Sequence, residues 1–144
     1  MCVLNYEDEV LRAFGESALV HVVWFSSARK LAEGFYLDGE EIFYAHDGNT
    51  EKVINVHDMN LLGRHNYENV MAATAMSVNF GVPMEKIVEV LKRFQAVEHR
   101  IEYVTEKRGV RFYNDSKGTN PDAAIQGIRA MNRPTLLIGG GYDK

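Results

Sequence analysis

The segment 114–122, with the sequence Asn-Asp-Ser-Lys-Gly-Thr-Asn-Pro-Asp, holds the side chains best suited to chemistry. Helix capping explains Thr119, Asn120 and Pro121, because threonine or asparagine suits an N-cap and proline suits the first helical position. Capping requires neither Asp115 nor Lys117, and a carboxylate beside an amine can hold a polar ligand. We therefore predict a ligand-binding loop, against the simpler interpretation that the whole segment is capping and turn chemistry.

The stretches on either side of this loop have different periodicities. Residues 109–113 alternate as a strand does, whereas residues 123–131 repeat apolar side chains at helical spacing. A strand, a polar turn and a helix form the arrangement in which α/β proteins hold ligands at the carboxyl ends of strands. The sequence thus predicts that the loop lies at such a strand end.

Composition limits the classes of protein. Of the 144 residues, 46% are hydrophobic and 25% are charged, which is typical of one globular domain or of parts of two. The net charge of −4 provides no basic face for a nucleic-acid backbone, so we expect no DNA or RNA partner. Small anionic ligands remain compatible with this charge.

The cysteine and histidine content argues against a metal site. Cys2 is the single cysteine, which excludes an internal disulfide and a thiolate zinc site and fits a reducing compartment. The histidines show no metal-ligand spacing, and we expect no metal ligand within this chain. The apolar runs are far shorter than the roughly 20 residues of a membrane helix, and no signal-peptide pattern opens the chain. We therefore expect a cytoplasmic protein that does not enter a membrane.

The first part of the chain is rich in predicted strands and reads as mostly antiparallel. Its predicted elements are a strand at 2–4, a helix at 6–14, a strand at 21–26, a hairpin over 34–44 and a strand at 52–56. The hairpin prediction depends on Asp38 and Gly39, since Asp-Gly is a strong turn signal.

The pattern then changes to helices followed by a second group of strands. We predict helices at 66–80 and 84–94, the first ending at Gly81, strands at 101–105 and 110–114, the helix after the loop, and a strand at 135–138. A glycine-rich run follows that strand. The fold class is therefore α/β, with the end of one domain followed by the start of a Rossmann-like parallel or mixed sheet. Both ends look truncated, which predicts an internal piece of a larger enzyme.

Three further positions are weaker candidates. Asn66 and Asn69 share a helix face and can offer amides to a planar heterocycle, although a capping role is favoured for Asn66 and Asn69 stays undecided. Arg100 can stack on a base or bind phosphate, but a salt bridge at a domain junction is the commoner use of such an arginine. Neither a Walker A loop nor a dinucleotide-binding glycine fingerprint occurs.

Four motifs taken in order resemble those of the Mur ligases. They are residues 63–69, Gly-Arg-His-Asn-Tyr-Glu-Asn; residues 99–100, His-Arg; residues 114–120, Asn-Asp-Ser-Lys-Gly-Thr-Asn; and residues 140–144, Gly-Gly-Tyr-Asp-Lys. Within that family, the D-S-K-x-T-N form of the loop resembles the members that add D-glutamate. Order and spacing are kept over essentially the whole chain.

The resemblance implies an enzyme of three domains. Residues 1–97 would be the later part of the central ATP-binding domain, and residues 98–144 the start of the Rossmann-like C-terminal domain. Such ligases use ATP and Mg²⁺ to activate the carboxylate of UDP-N-acetylmuramoyl-L-alanine as an acyl phosphate, which D-glutamate then attacks in peptidoglycan synthesis. The P-loop and the Mg²⁺ ligands would precede Met1. We therefore expect no ligation by this chain alone. The full-length enzyme is expected to be a monomer. The fragment is expected to self-associate through exposed sheet edges.

The same resemblance gives roles to the nucleotide-binding candidates. Asn69 resembles the asparagine that contacts adenine, and Arg100 resembles an arginine that contacts the nucleotide. Asp115 matches the aspartate that holds the ribose hydroxyls, which suits a carboxylate facing a diol.

The remaining matched residues would hold the substrates. Lys117 resembles the catalytic lysine near the acyl phosphate, Thr119 a hydroxyl that helps to hold substrate, and Lys144 the lysine that pairs with the D-glutamate carboxylate.

Two other functions stay open. The first is a sister amide ligase such as folylpolyglutamate synthase. The sequence Asp115-Ser116-Lys117 argues against this alternative. The second is a nucleotide-binding or purely structural module in which the loop residues only cap helices and form salt bridges.

Overall fold

The structure, a computed structural model, describes residues 1–141 and divides into two compact units. The first unit is Met1–Gln95 and the second begins at Ala96. The assignment of residues 1–97 and 98–144 to the central and C-terminal domains of a ligase stays a prediction. Each unit is described by itself.

The first unit is a five-stranded sheet with three α-helices. In chain order its elements are β1 Cys2–Asn5, α1 Glu9–Ser17, β2 Val22–Ser26, β3 Gly34–Asp38, β4 Glu41–His46, β5 Asn49–Asn55, a 3₁₀ turn Val56–Asp58, α2 Arg64–Asn79 and α3 Met84–Arg93. The strands lie in sequence order across the sheet.

The direction of the first strands differs from the prediction. β1, β2 and β3 are mutually parallel, and only the β3, β4 and β5 meander is antiparallel. The expectation of a mostly antiparallel first part was therefore wrong for the first half of the sheet. The crossover through α1 returns the chain so that β2 starts at the same end as β1, and the irregular segment 27–33 does the same between β2 and β3. The predicted hairpin is confirmed, with Asp38 opposite Glu41 across its turn.

The core of the first unit lies between the sheet and α2. Phe35 and Ile42 are fully buried on the sheet, and Met71 and Ala75 are fully buried on the helix. Because Met71 and Ala75 are four residues apart, they share one helix face, and α2 contacts β1, β2 and β3 through that side. The helix ends before Gly81, whose φ of 82° confirms the predicted left-handed residue after the helix.

The first residue of β3, Gly34, lies close to the backbone of β2. Its φ is 113°, and a Cβ built there would lie 2.3 Å from the Trp24 carbonyl oxygen. No L side chain tolerates both conditions, so glycine is required where β3 approaches β2.

The second unit contains a hairpin and one helix. β6 Glu102–Lys107 and β7 Val110–Asn114 pair antiparallel, and α4 Pro121–Arg129 follows the polar loop. The hairpin turn is formed by Arg108 and Gly109, which both have positive φ, as a two-residue hairpin turn of the primed type requires. These elements confirm the predicted strands, loop and helix.

The strand predicted at 135–138 is absent from the structure. These residues have no regular structure, and Leu136 and Ile138 are each 88% exposed. Within residues 96–141 the sheet consists of β6 and β7 alone, so the predicted parallel or mixed sheet was wrong for this part. A segment becomes a strand only when a neighbour accepts its backbone hydrogen bonds, and no described strand pairs with residues 135–138. None of the helices in residues 1–141 is long and apolar enough to cross a membrane.

Candidate functional site

The predicted loop is held in place by a neighbouring loop of the second unit. The Lys117 N–H donates to the His99 carbonyl oxygen at 2.9 Å, and the Asn114 amide nitrogen lies 2.9 Å from His99 Nδ1. His99 also donates its backbone N–H to Glu102 Oε2 at 2.8 Å. Residues 99–101 and 114–117 are thus adjoining loops, which places the backbone of Arg100 beside the loop that carries Asp115 and Lys117.

Asp115 braces these loops against α4. Its Oδ1 accepts the Ile101 N–H at 3.1 Å, and its Oδ2 faces Gly127 so closely that a Cβ built there would lie 2.2 Å away. The carboxylate is partly buried, and each of its oxygens has two lone pairs, so it keeps capacity to accept from a ligand. Asp115 therefore has a structural role that the sequence did not reveal, and this role leaves room for a binding role.

The cationic candidates are exposed. Within residues 96–141, neither Arg100 nor Lys117 forms an ion pair with a carboxylate of the same unit, and both side chains are exposed. The salt bridge expected for Arg100 across a domain junction stays a prediction. A close contact at this place joins His99 to Glu102, with His99 Nδ1 3.5 Å from Glu102 Oε2. Thr119 is exposed and donates its N–H to the Lys117 carbonyl oxygen at 2.8 Å.

The helix after the loop begins as the sequence predicted. Asn120 is the N-cap, its side-chain oxygen accepts the Ala123 N–H at 2.8 Å, and Pro121 occupies the first turn. Capping therefore accounts for Asn120 and Pro121. It does not account for Lys117, whose ammonium group forms no hydrogen bond with another described residue.

The asparagine pair of α2 separates into two environments. Asn66 is 8% exposed, and its amide donates to the Leu62 carbonyl oxygen at 2.7 Å. The N-cap of α2 is Gly63, with φ 93°, so the capping role favoured for Asn66 was wrong. Asn66 lies inside the first turn, where its side chain reaches back to the preceding loop. Asn69 is exposed, so its amide is accessible on the surface of the first unit. Lys144 lies outside the described residues.

Sequence reasoning missed a polar cluster at the end of β2. The Glu7 carboxylate accepts from Arg29 Nε at 2.9 Å, from Arg29 Nη2 at 2.7 Å and from the buried Ser26 Oγ at 2.6 Å. The hydrogen bond from Arg29 is the main reason that the pKa of Glu7 lies below its usual value. The residues are far apart in sequence, so no local pattern predicted this cluster.

Sequence reasoning also missed two supports of the polar loop. Ile101 has φ 48°, a rare conformation for a β-branched residue that no sequence signal announces. Gly127 inside α4 was a detectable signal, because an isolated glycine in a helical pattern often marks close packing.

Among residues 1–141, no group of three or more histidine, cysteine, aspartate or glutamate side chains is placed to hold a metal ion.

Comparison with curated proteins finds relatives along the whole chain. A UDP-N-acetylmuramoylalanine–D-glutamate ligase of Lachnospira eligens is 59% identical over 143 residues, which is 99% of this chain and 32% of that protein. A ligase of the same name from Lachnoclostridium phytofermentans is 53% identical over the same share of the chain. The chain is homologous to these ligases over its whole length. It spans about a third of the length of these relatives.

Solved structures of Mur ligases agree with the fold. The UDP-N-acetylmuramoylalanyl-D-glutamyl-2,6-diaminopimelate–D-alanyl-D-alanyl ligase of Acinetobacter baumannii matches with a TM-score of 0.63 and 20% identity, over 90% of this chain and 30% of that chain. A pseudomurein peptide ligase type C from Methanothermus fervidus matches with a TM-score of 0.58 and 17% identity, over 89% and 33% of the two chains. These matches confirm the α/β class. No profile of a known protein family matches the chain.

Proposed function

We propose that this chain is part of an ATP-dependent ligase that adds D-glutamate to UDP-N-acetylmuramoyl-L-alanine in peptidoglycan synthesis. The observation that carries the proposal is the 59% identity, over 99% of the chain, to a ligase named for this product. In this proposal the full-length enzyme is a cytoplasmic monomer that serves cell-wall biogenesis and, through it, cell shape and division. The units correspond to the end of the central domain and the start of the C-terminal domain.

The side chains proposed to bind the nucleotide are polar groups of each unit. Asn69 presents a free amide surface for an adenine edge, and Arg100 presents a guanidinium without a carboxylate partner in the described residues. Asp115 keeps lone pairs for ribose hydroxyls while its oxygens brace Ile101 and α4. ATP supplies the phosphoryl group that activates the substrate carboxylate, and Mg²⁺ would be held by residues outside this segment.

The substrate side of the proposal depends on Lys117. Its exposed ammonium lies on a loop whose backbone is fixed by His99, so it can stabilise negative charge that develops during formation of the acyl phosphate and its attack by the amine. Thr119 would hold substrate from the same loop, and Lys144 would pair with the D-glutamate carboxylate.

A graft tests this proposal. We would replace the matching residues of the Lachnospira eligens ligase with this chain and measure amide product and phosphate release with ATP, UDP-N-acetylmuramoyl-L-alanine and D-glutamate. We expect ATP-dependent ligation by the graft and none by the chain alone. Lys117→Ala should lower kcat by about 100-fold or more, the scale of losing one charge-stabilising group.

The matched control is Lys107→Ala in the graft. Lys107 is another exposed lysine of the second unit, so its removal changes charge equally and should leave kcat within about twofold. A folded graft that uses another amino acid in place of D-glutamate would favour a sister ligase such as folylpolyglutamate synthase. Full activity of the Lys117 variant would favour a non-catalytic module and overturn the assigned role.

A further inference from the structure

A cleft opens in the first unit at the carboxyl ends of two parallel strands. Its volume is about 380 Å³, and its walls are residues 27–30 after β2, residues 37–39 at the end of β3, and Arg64 at the start of α2. Ligands of α/β proteins bind outside the carboxyl ends of parallel strands. None of the residues proposed above for ATP, UDP-N-acetylmuramoyl-L-alanine or D-glutamate lines this cleft.

Three cationic side chains and one carboxylate line the cleft. Arg29 is paired with Glu7 at 2.7 Å, and Lys30 is paired with Asp38 at 2.7 Å. Arg64 forms no ion pair with a carboxylate among residues 1–141. Arg64 is therefore the lining cation whose guanidinium is open to an anion.

The guanidinium of Arg64 is held in a defined position. Its Nη2 donates to the Ser27 carbonyl oxygen at 2.6 Å, and Ser27 is itself 4% exposed. The carboxylate of Glu68, one turn further along α2, accepts a hydrogen bond from the Ser27 hydroxyl, which does not neutralise a carboxylate. Arg64 is exposed, and its remaining N–H groups are free to meet a ligand. The hydrogen bond to Ser27 reduces the side-chain entropy that binding would cost.

We propose that this cleft binds a phosphate-type oxyanion through Arg64. A fixed guanidinium presents forked donors that match two oxygens of such an anion. The positive end of the α2 dipole lies at the same place and favours a negative ligand. The site differs from the nucleotide surface of the proposed function and does not depend on it.

Nuclear magnetic resonance titration of the chain tests the site. Inorganic phosphate and pyrophosphate would be added at low salt while the amide signals of residues 27–30 and the Arg64 Nε–H signal are followed. We expect saturable shifts at these signals that weaken as salt is raised. Arg64→Gln should raise the dissociation constant about three- to tenfold, and Arg64→Lys should have a smaller effect because the charge is kept without the fork.

Arg133→Gln is the matched control. Arg133 is an exposed arginine of the second unit that also lacks a described carboxylate partner. Its replacement by glutamine removes one positive charge, as Arg64→Gln does, from a residue that does not line the cleft. An equal loss of affinity in this variant, or unchanged affinity in Arg64→Gln, would overturn the proposal, as would shifts confined to other residues. A parallel titration with ADP distinguishes the source of the anion: cleft signals that respond at lower concentration to ADP than to phosphate identify a nucleotide phosphate, and the reverse identifies a free anion.

Discussion

Two carboxylates fix the chain at the ends of strands in this protein. Glu7 joins the end of β1 to Ser26 and Arg29 after β2, and Asp115 joins the end of β7 to Ile101 and α4. The Glu7 carboxylate accepts three hydrogen bonds, two of them from the Arg29 guanidinium, and such charge-assisted bonds are stronger than neutral ones. Asp115 accepts one, from the Ile101 N–H, and its second oxygen packs against Gly127. The stability of the Glu7 region therefore depends on the charge of that side chain.

Replacement of Glu7 should reveal this dependence through pH. Since the pKa of Glu7 is lowered in the folded state, its contribution is fully present above the ordinary value of 4.5 and is lost as pH falls through the lowered value. Glu7→Gln should reduce the urea midpoint at pH 7, and the difference from the wild type should disappear at a pH well below 4.5. Urea unfolding followed by circular dichroism at both pH values measures this.

Glu16→Gln provides the control, because Glu16 is an exposed carboxylate of α1 and should leave the midpoint unchanged at pH 7. A difference between Glu7→Gln and wild type that persists unchanged in acid would contradict the role of the Glu7 charge.

At the scale of elements, α4 and the polar loop depend on each other. The Asn120 cap fixes the start of the helix, and Gly127 allows the helix to approach the Asp115 carboxylate. The loop that carries Lys117 is thus positioned by contacts at both ends, one local in sequence and one tertiary. The Lys117 side chain is therefore exposed although the backbone of its loop is held in place.

Gly127→Ala should destabilise the second unit by about 1–3 kcal/mol, the usual cost of forcing an extra methyl into a filled space. The clash with Asp115 Oδ2 outweighs the gain of up to about 1 kcal/mol that alanine normally brings to a helix. Urea unfolding monitored by signals of residues 96–141 would measure the change.

Gly139→Ala is the control variant, because no atom of another described part of the protein lies within 4 Å of a Cβ built at Gly139. We expect this variant to leave the free energy of unfolding of the second unit unchanged. In an Asp115→Ala background the cost of Gly127→Ala should fall, since the clashing oxygen is gone. The same cost in both backgrounds would show that the contact with Asp115 is not its cause.

At the scale of the whole molecule, the two units differ in how much apolar surface they bury. The first unit contains most of the buried apolar side chains, including Phe35, Ile42 and Met71. The described part of the second unit buries the apolar side chains of Ile101 and Ala130, while Leu136 and Ile138 are exposed. Because burial of apolar surface drives folding, the units should differ in their capacity to fold alone.

A chain of residues 1–95 should therefore unfold cooperatively on heating and keep dispersed amide signals. A chain of residues 96–144 should melt at a lower temperature and over a broader range, because its small core offsets less of the loss of conformational entropy. Circular dichroism melts and amide spectra of the two pieces would test this. A second piece that melts as sharply and at as high a temperature as the first would contradict this account.

The sequence by itself determined the features that depend on neighbouring residues. Alternation, helical spacing and turn residues located the β3–β4 hairpin, the α2 and α3 helices, and the Asn120 cap. The order of polar motifs also indicated the Mur ligase family, since type and spacing are properties of the chain alone.

Only the tertiary structure decided what depends on distant partners. Strand direction in β1–β3 follows from how α1 and then the irregular segment 27–33 return the chain, and residues 135–138 lack a strand because no described strand pairs with them. Asp115 has a structural role because Ile101 and Gly127, which are distant in sequence, lie next to its carboxylate. Hydrogen bonds and packing join residues that are close in space, and a one-dimensional pattern does not specify which distant residues those are.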